Sequence, residues 1–210
     1  VFSIAIGVPL GVLAGLKPQS WFGRTIMSGS ILGFSLPTFW VGLMLIMVFA
    51  VMLGWLPSTG RSDFMTWDGL RHLALPAINL ALFKMALVTR LARAGTREAA
   101  LQDYVKFARA KGLSQTRVVL VHVLKNILVP VVTVLGLELG GLIAFSVVTE
   151  TVFAWPGMGK LLIDSIQRLD RPVIVAYLVI TVLMFVVINL IVDLLYAALD
   201  PRVRLREAKA

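Results

Sequence analysis

Residues 25–60 read TIMSGSILGFSLPTFWVGLMLIMVFAVMLGWLPSTG, and no side chain in that stretch carries a charge. At about 1.5 Å of rise per residue, one straight helix of this length would outrun a hydrocarbon core about 30 Å thick. Pro37 lies inside it, in Ser35-Leu36-Pro37-Thr38, where a missing amide hydrogen and a crowding ring end or kink a helix. Trp55 stands near the far end, where an aromatic belt meets the membrane–water interface. Working outward, Val1–Leu16 and Val173–Val192 are equally free of charge. A spanning helix needs about 20 mostly apolar residues. Five apolar segments are therefore expected as spans: roughly Val1–Leu16, Ile26–Leu56, Leu73–Thr89, Ile127–Thr149 and Val173–Leu199. The fold class this predicts is all-α, a polytopic transmembrane helical bundle.

Composition agrees. The chain is 59% hydrophobic and 15% charged, whereas soluble domains carry about 45–50% and about 25%. A net charge of +9 suggests nucleic acid in a soluble protein. Here the basic residues sit between apolar runs, so membrane topology accounts for them and no nucleic-acid partner is expected. There is no cysteine, which excludes disulfides and thiolate metal sites, and His72 and His122 form no metal-ligand pattern. The chain opens inside an apolar run without an initiating Met, a basic region or a cleavage site. The expectation is a truncated N-terminus with a further span missing.

Lysine and arginine orient the spans. The loops 17–24 and 90–125 and the tail after Asp200 carry two, eight and four of them. The loops 57–72 and 150–172 carry two and three. The first set marks the cytoplasm and puts the C-terminus inside.

The loop 90–125 is the informative one. Gly95-Thr96 is read as a helix start with Thr96 as N-cap, after which Leu101, Tyr104, Val105 and Ala108 recur on one face. Gly112 is a natural left-handed stop followed by hydrophobic Leu113, and Ser114 caps a helix entering the next span. Such an amphipathic helix either lies on anionic membrane lipid or docks in a groove of a soluble partner.

The residues themselves decide between these. Asp103-Tyr104-Val105-Lys106-Phe107-Ala108-Arg109-Ala110-Lys111-Gly112-Leu113-Ser114, with His122-Val123-Leu124-Lys125-Asn126, resembles the cytoplasmic signature of permeases of ATP-binding-cassette (ABC) importers, type I, in the dipeptide/oligopeptide/nickel branch. Ser35–Trp40, Glu150–Gly159, Asn189–Tyr196 and Asp200-Pro201-Arg202 look like the same family, in order, over essentially the whole chain. Two features depart from the broad permease pattern. Glu98-Ala99-Ala100 lies too far before Gly112 to be its Glu-Ala-Ala element, and Leu124-Lys125 replaces Leu-Pro, as in one permease type of the peptide branch.

The resemblance implies one transmembrane permease domain over 1–210 in a bacterial inner membrane, with 90–125 as its cytoplasmic coupling region. It implies four kinds of partner: a second homologous permease, two ABC ATPases, an external solute-binding protein and membrane lipid. Tyr104, Ala108, Arg109, Ala110, Lys111, Gly112 and Leu113 would couple to an ATPase. The small residues would allow close approach, and Arg109 and Lys111 would pair with acidic groups or helix C-termini. The implied cargo is a di- or oligopeptide, with nickel or glutathione as alternatives. No phosphate-binding loop of the Gly-x-x-x-x-Gly-Lys-Ser/Thr kind occurs, and no nucleophile–base pair or paired carboxylates stand out. No catalytic residue, metal or bound cofactor is expected, and ATP is used by the partners.

Lys84 and Glu138 are ionisable groups within apolar segments, a pathway candidate by default and otherwise a buried structural pair. Glu150, Trp155, Pro156 and Gly157 precede a short external amphipathic helix, Lys160–Arg168, and are read as a pathway or external-gate element or as an interfacial loop. Two readings from other classes compete with the importer. One is an ion-coupled secondary transporter using Lys84 and Glu138, and the other a membrane scaffold or sensor.

Overall fold

The computed structural model describes residues 2–63 and 65–199. In chain order the helices are α1 (Phe2–Leu16), α2 (Trp21–Ser35), α3 (Thr38–Leu45), α4 (Trp67–Leu101), α5 (Asp103–Ala110), α6 (Gln115–Arg117), α7 (Leu124–Leu137), α8 (Leu139–Val152), α9 (Met158–Gln167) and α10 (Arg171–Leu199). Two π-helical stretches, Ile46–Met52 and Val118–Val123, continue α3 and join α6 to α7. Among the described residues, three helical runs are long and apolar enough to cross a membrane: Trp67–Leu101, Gln115–Gly136 and Arg171–Leu194. A fourth is the pair Trp21–Ser35 and Thr38–Met52 if it counts as one span, bent by 105° where Pro37 interrupts it. Val1, Asp200-Pro201-Arg202 and the basic tail (Arg202, Arg204, Arg206, Lys209) lie outside the described residues.

Two expected boundaries differ. Gly95-Thr96 does not start a helix, because α4 passes through it. Gly95 gives room to Ile127, where an added Cβ would come within 3.0 Å of Ile127 Cγ2. Thr96 is fully buried and its Oγ1 donates back to the Ala92 carbonyl at 2.7 Å. Both residues are thus used for close packing rather than for capping. The apolar run Ile127–Thr149 likewise divides into α7 and α8 at Glu138. Gly136, Gly140 and Gly141 weaken the helix around that point.

The chain forms two compact units. The first draws on Val1–Phe34, Lys84–Leu137 and Asn189–Ala210, the second on Ser35–Phe83 and Glu138–Ile188. The core of the first joins Val8 and Val12 of α1, Val88 and Ala92 of α4, Val105 and Ala108 of α5, and Ile127 and Val131 of α7. Gly7, Gly11 and Gly15, four residues apart on α1, let that helix approach α4 backbone to backbone. In the second unit Gly42 sits against Val152, Phe153 and Asn79. The rings of Phe83 and Phe145 lie 5.1 Å apart.

Large apolar side chains stand exposed along α2, α3 and α10, among them Leu32, Trp40, Leu183 and Val186. Water would penalise each exposed side chain by about 1.5–3 kcal/mol. Lipid removes that cost.

Candidate functional site

The segment between α4 and α7 is assembled from local signals. Gln102 leaves the helical conformation (ψ 149°) and α5 begins at Asp103, whose carboxylate suits a helix N-terminus. Lys106 Nζ donates to Asp103 at 2.9 Å. That hydrogen bond, and then the ammonium charge, hold the Asp103 carboxyl below the usual carboxylate range. The pair is exposed, so it contributes little to stability.

The other end is a Schellman motif. Gly112 adopts φ +77°, its N–H donates to the Arg109 carbonyl at 2.9 Å, and the Leu113 N–H donates to the Ala108 carbonyl at 3.3 Å. Leu113 then packs against the core that holds Ala108. One residue later the Ser114 side chain accepts from the Arg117 N–H and starts the next helix. Val118 and Val123 of the π stretch are buried in the same core. The short helix is therefore bonded at its end and packed along its inner side onto α1, α4 and α7.

Its outward face differs from the expectation. Ala108, read as a point of close approach for a partner, is only 4% exposed and faces the chain's own core with Val105. Arg109, Ala110, Lys111 and Gly112 are exposed, Tyr104 is partly so, and Leu113 is half-buried. An added Cβ at Gly112 would meet nothing within 4 Å. Phe107, not singled out from sequence, is 62% exposed with Lys111 Nζ 4.6 Å from its ring centroid. The signal available in advance was an aromatic with a lysine four residues on, in a loop that otherwise presents charge.

The second candidate region lies where α8 gives way to α9. The turn ends α8 as a second Schellman motif, with Trp155 N donating to the Glu150 carbonyl at 2.8 Å and Ala154 N to Thr151 at 3.3 Å. Ala154 takes the left-handed position at φ +46°. Pro156 follows, exposed, and Gly157 opens α9. The Glu150 carboxylate then reaches across to the N-terminus of α9, where Oε2 accepts from the Lys160 N–H at 2.9 Å. Gly157 is needed for this approach, since a Cβ there would collide with the carboxylate. Glu150, Trp155, Pro156 and Gly157 thus form one local structure, with an acid placed where helix donors lack partners.

Three expected outcomes arise here. Gly157→Ala displaces the Glu150 carboxylate and should cost about 1–3 kcal/mol, one charge-assisted hydrogen bond, read as a lower unfolding midpoint. Glu150→Gln, which keeps an acceptor for Lys160, should cost less. The third Schellman motif closes α9 with Leu169 at φ +57°, where Asp170 N donates to Ser165 at 2.9 Å. Leu169 is 80% exposed, so its side chain gains little there. Leu169→Gly should raise stability by up to about 1 kcal/mol, since left-handed backbone strains a leucine more than it costs a glycine. An unchanged or lower midpoint would contradict the strain.

Lys84 is buried within α4 at 3% exposure. Glu138 is half-buried at the junction of α7 and α8, where its carbonyl accepts from Leu142 N at 3.1 Å. Among the described residues, no group of three or more His, Cys, Asp or Glu side chains is placed to hold a metal.

Residues 7–205 match the family model described as binding-protein-dependent transport system inner membrane component. The chain is 42% identical over 226 residues to the di/tripeptide transport system permease protein DppB of Pseudomonas aeruginosa (strain UCBPP-PA14), covering 97% of this chain and 67% of that protein. It is 44% identical over 207 residues to the oligopeptide transport system permease protein AppB of Bacillus subtilis (strain 168), covering 97% and 66%. A solved structure of the MetNI methionine ABC transporter in an inward-facing conformation superposes with a TM-score of 0.75 at 20% identity, over 95% of this chain and 88% of the solved one. That likeness bears on the fold alone.

Proposed function

The chain belongs to the family of binding-protein-dependent transport system inner membrane components, and from that premise we propose that it forms half of the translocation pathway of an ATP-driven importer of di- or oligopeptides. The solute class is supported by relatives named as di/tripeptide and oligopeptide permeases at 42% and 44% identity. The other half is a second, homologous permease. Two ABC ATPases supply the energy, and an external binding protein delivers the solute. This chain binds no cofactor and hydrolyses no ATP.

The observation that carries the mechanism is the anchoring of α5. A short helix with an exposed aromatic and basic face is joined to the core of α1, α4 and α7 through Val105, Ala108 and Leu113. A push on its outer face is therefore delivered to packed helices rather than lost in a mobile loop, because close-packed interiors transmit strain. In this assignment the ATPase grips Tyr104, Phe107, Arg109, Ala110, Lys111 and Gly112, with Ala108 and Leu113 as anchors. Closure of the ATPase pair then tilts the attached spans and switches the pathway between outward- and inward-facing, a rigid-body change. The basic loop lies on the cytoplasmic side, and so does the C-terminus. Lys84 and Glu138 line the pathway, and Glu150, Trp155, Pro156 and Gly157 belong to its external mouth.

The test is reconstitution of the assembled transporter in vesicles. Dipeptide delivered by the binding protein should stimulate ATP hydrolysis, and uptake should persist when the membrane potential is collapsed with ATP maintained. Uptake that follows the potential and continues without the ATPases would instead favour ion coupling through Lys84 and Glu138.

A further inference from the structure

A cavity of about 230 Å³ lies in the second unit between α4 and α8, with Trp155 in its lining. Its wall includes Pro76 and Leu80 from α4 and Ser146, Thr149 and Glu150 from α8. What these groups have left to offer a ligand follows from their existing bonds.

Ser146 Oγ spends its proton on the Ile143 carbonyl at 2.7 Å. Thr149 Oγ1 donates to the Phe145 carbonyl at 3.3 Å. Both hydroxyls therefore face a ligand as acceptors. Pro76 has no amide hydrogen and removes the donor that would have bonded the His72 carbonyl. The Lys160 N–H takes one of the roughly four lone-pair sites of the Glu150 carboxylate. Behind the wall, Asn79 is 2% exposed and its Nδ2 donates to Thr149 Oγ1 at 3.2 Å. That orientation follows from the commitment of the Thr149 proton to Phe145. It leaves Asn79 Oδ1 buried without a partner behind the lining rather than in it.

The lining carries one carboxylate, an indole and no cationic side chain. An anion would meet the Glu150 carboxylate with no cationic side chain in the lining to offset it, only the N-terminus of α9 behind it. A primary ammonium matches the polar part of the lining, with three donors, no acceptor and a charge that an indole face attracts, while Leu73, Pro76, Ala77 and Leu80 suit an apolar stem behind it. The volume is below the several hundred Å³ of a pocket that encloses a whole small molecule, so it takes the end of one.

We propose that this cavity is a binding site for a primary ammonium group, Glu150 supplying the charge and Trp155 the aromatic face. The α-ammonium of a peptide has this chemistry, and that particular source rests on the proposed transport function. The ammonium class itself does not.

The chain has no cysteine, so Ser146→Cys introduces its only thiol. In vesicles bearing the assembled transporter, that thiol is labelled with aminoethyl or sulfonatoethyl methanethiosulfonate and the mass shift of this chain is followed. After correction for intrinsic reagent rates, the cationic reagent should react about tenfold faster or more, as expected for a locally focused charge. Adding Glu150→Gln, which keeps the acceptor for Lys160, should bring the two rates to within about twofold. L-alanyl-L-alanine should protect the thiol and its N-acetyl form should not. Ethylammonium is the further arm. Protection by it too makes the site one for amines in general, while protection by the dipeptide alone makes it one for a peptide terminus.

Equal rates, a preference that survives Glu150→Gln, equal protection by the N-acetyl peptide, or a thiol that neither reagent reaches would each overturn the site. Ala77→Cys, on the same wall, is the second reporter if Ser146→Cys does not accumulate. Labelling does not require transport. Vesicles that keep the charge preference but take up no dipeptide would count against the transport reading and leave the site standing. The reverse pattern would remove the site and leave transport.

Discussion

Gly112→Glu should cut peptide uptake by about tenfold or more, while the chain still reaches the membrane at close to its normal level. Two effects act at this position and they are separable. Gly112 holds φ +77°, which strains any side chain other than Asn or Asp, at a cost of about 1–2 kcal/mol. Space is not the difficulty inside the chain, because an added Cβ meets nothing within 4 Å. The open side of Gly112 is the side that a partner would approach in the proposed importer. A glutamate there places bulk and an unwanted charge in that contact, beside the exposed Arg109 and Lys111.

Gly112→Asn serves as the comparison, because asparagine tolerates the left-handed backbone. If backbone strain alone mattered, Gly112→Asn should transport nearly normally and Gly112→Val should not. If close approach matters, both should be impaired. The two measurements are membrane level and ATP-dependent uptake. Wild-type uptake by Gly112→Glu would remove α5 from the proposed coupling path.

Gly11→Leu should prevent stable folding altogether. An added Cβ at Gly11 would lie 2.5 Å from the Thr89 carbonyl, 2.6 Å from Ala92 Cβ and 3.0 Å from the Arg93 amide. Two of those atoms are backbone, in a helix that is itself packed on both sides, so no flexible side chain can turn away. Overpacking that forces backbone shifts costs about 1–3 kcal/mol for small intrusions, and a whole isobutyl group exceeds that. With marginal stabilities of about 5–15 kcal/mol, the expected result is loss of the chain from the membrane fraction or a sharply lowered unfolding midpoint.

Gly29→Leu is the control on the neighbouring helix α2, where an added Cβ meets nothing within 4 Å. It should accumulate normally. Similar behaviour of the two variants would show that the approach of α1 to α4 does not decide stability.

Much was legible in advance because it depends on local chemistry. Charge-free runs predict spans through desolvation cost alone, and the all-α membrane architecture follows from them. Pro37 stands at the break in the long apolar stretch, where its missing amide hydrogen has no helical bond to lose at the start of α3 and its ring disfavours helix in the residue before it. Gly112 and Ser114 close one helix and open the next through bonds that reach only three to five residues along the chain. The order of motifs from Ser35–Trp40 to Glu150–Gly159 pointed to the same family that the residues 7–205 match.

Residues whose neighbours are distant in sequence are not legible in this way. Gly95 and Thr96 have the composition of a helix start, yet Ile127 and α1 claim them for packing, and α4 runs on to Leu101. Ala108 turns toward the chain's own core and Phe107 away from it, because the direction of each around α5 depends on which side meets the core.

The amino-acid sequence by itself therefore determined that this protein crosses a membrane as helices, where those helices are interrupted, and that a short capped helix stands between two of them. Each of these is set by transfer free energies and by backbone conformation within a few residues. Only the tertiary structure decided that α5 is packed onto α1, α4 and α7, and that Glu150 reaches past Gly157 to hold α9. The cavity that brings Ser146, Thr149, Glu150 and Trp155 together with Pro76 and Leu80 belongs with these. All three require side chains from separate segments to meet, and no local pattern encodes which ones do.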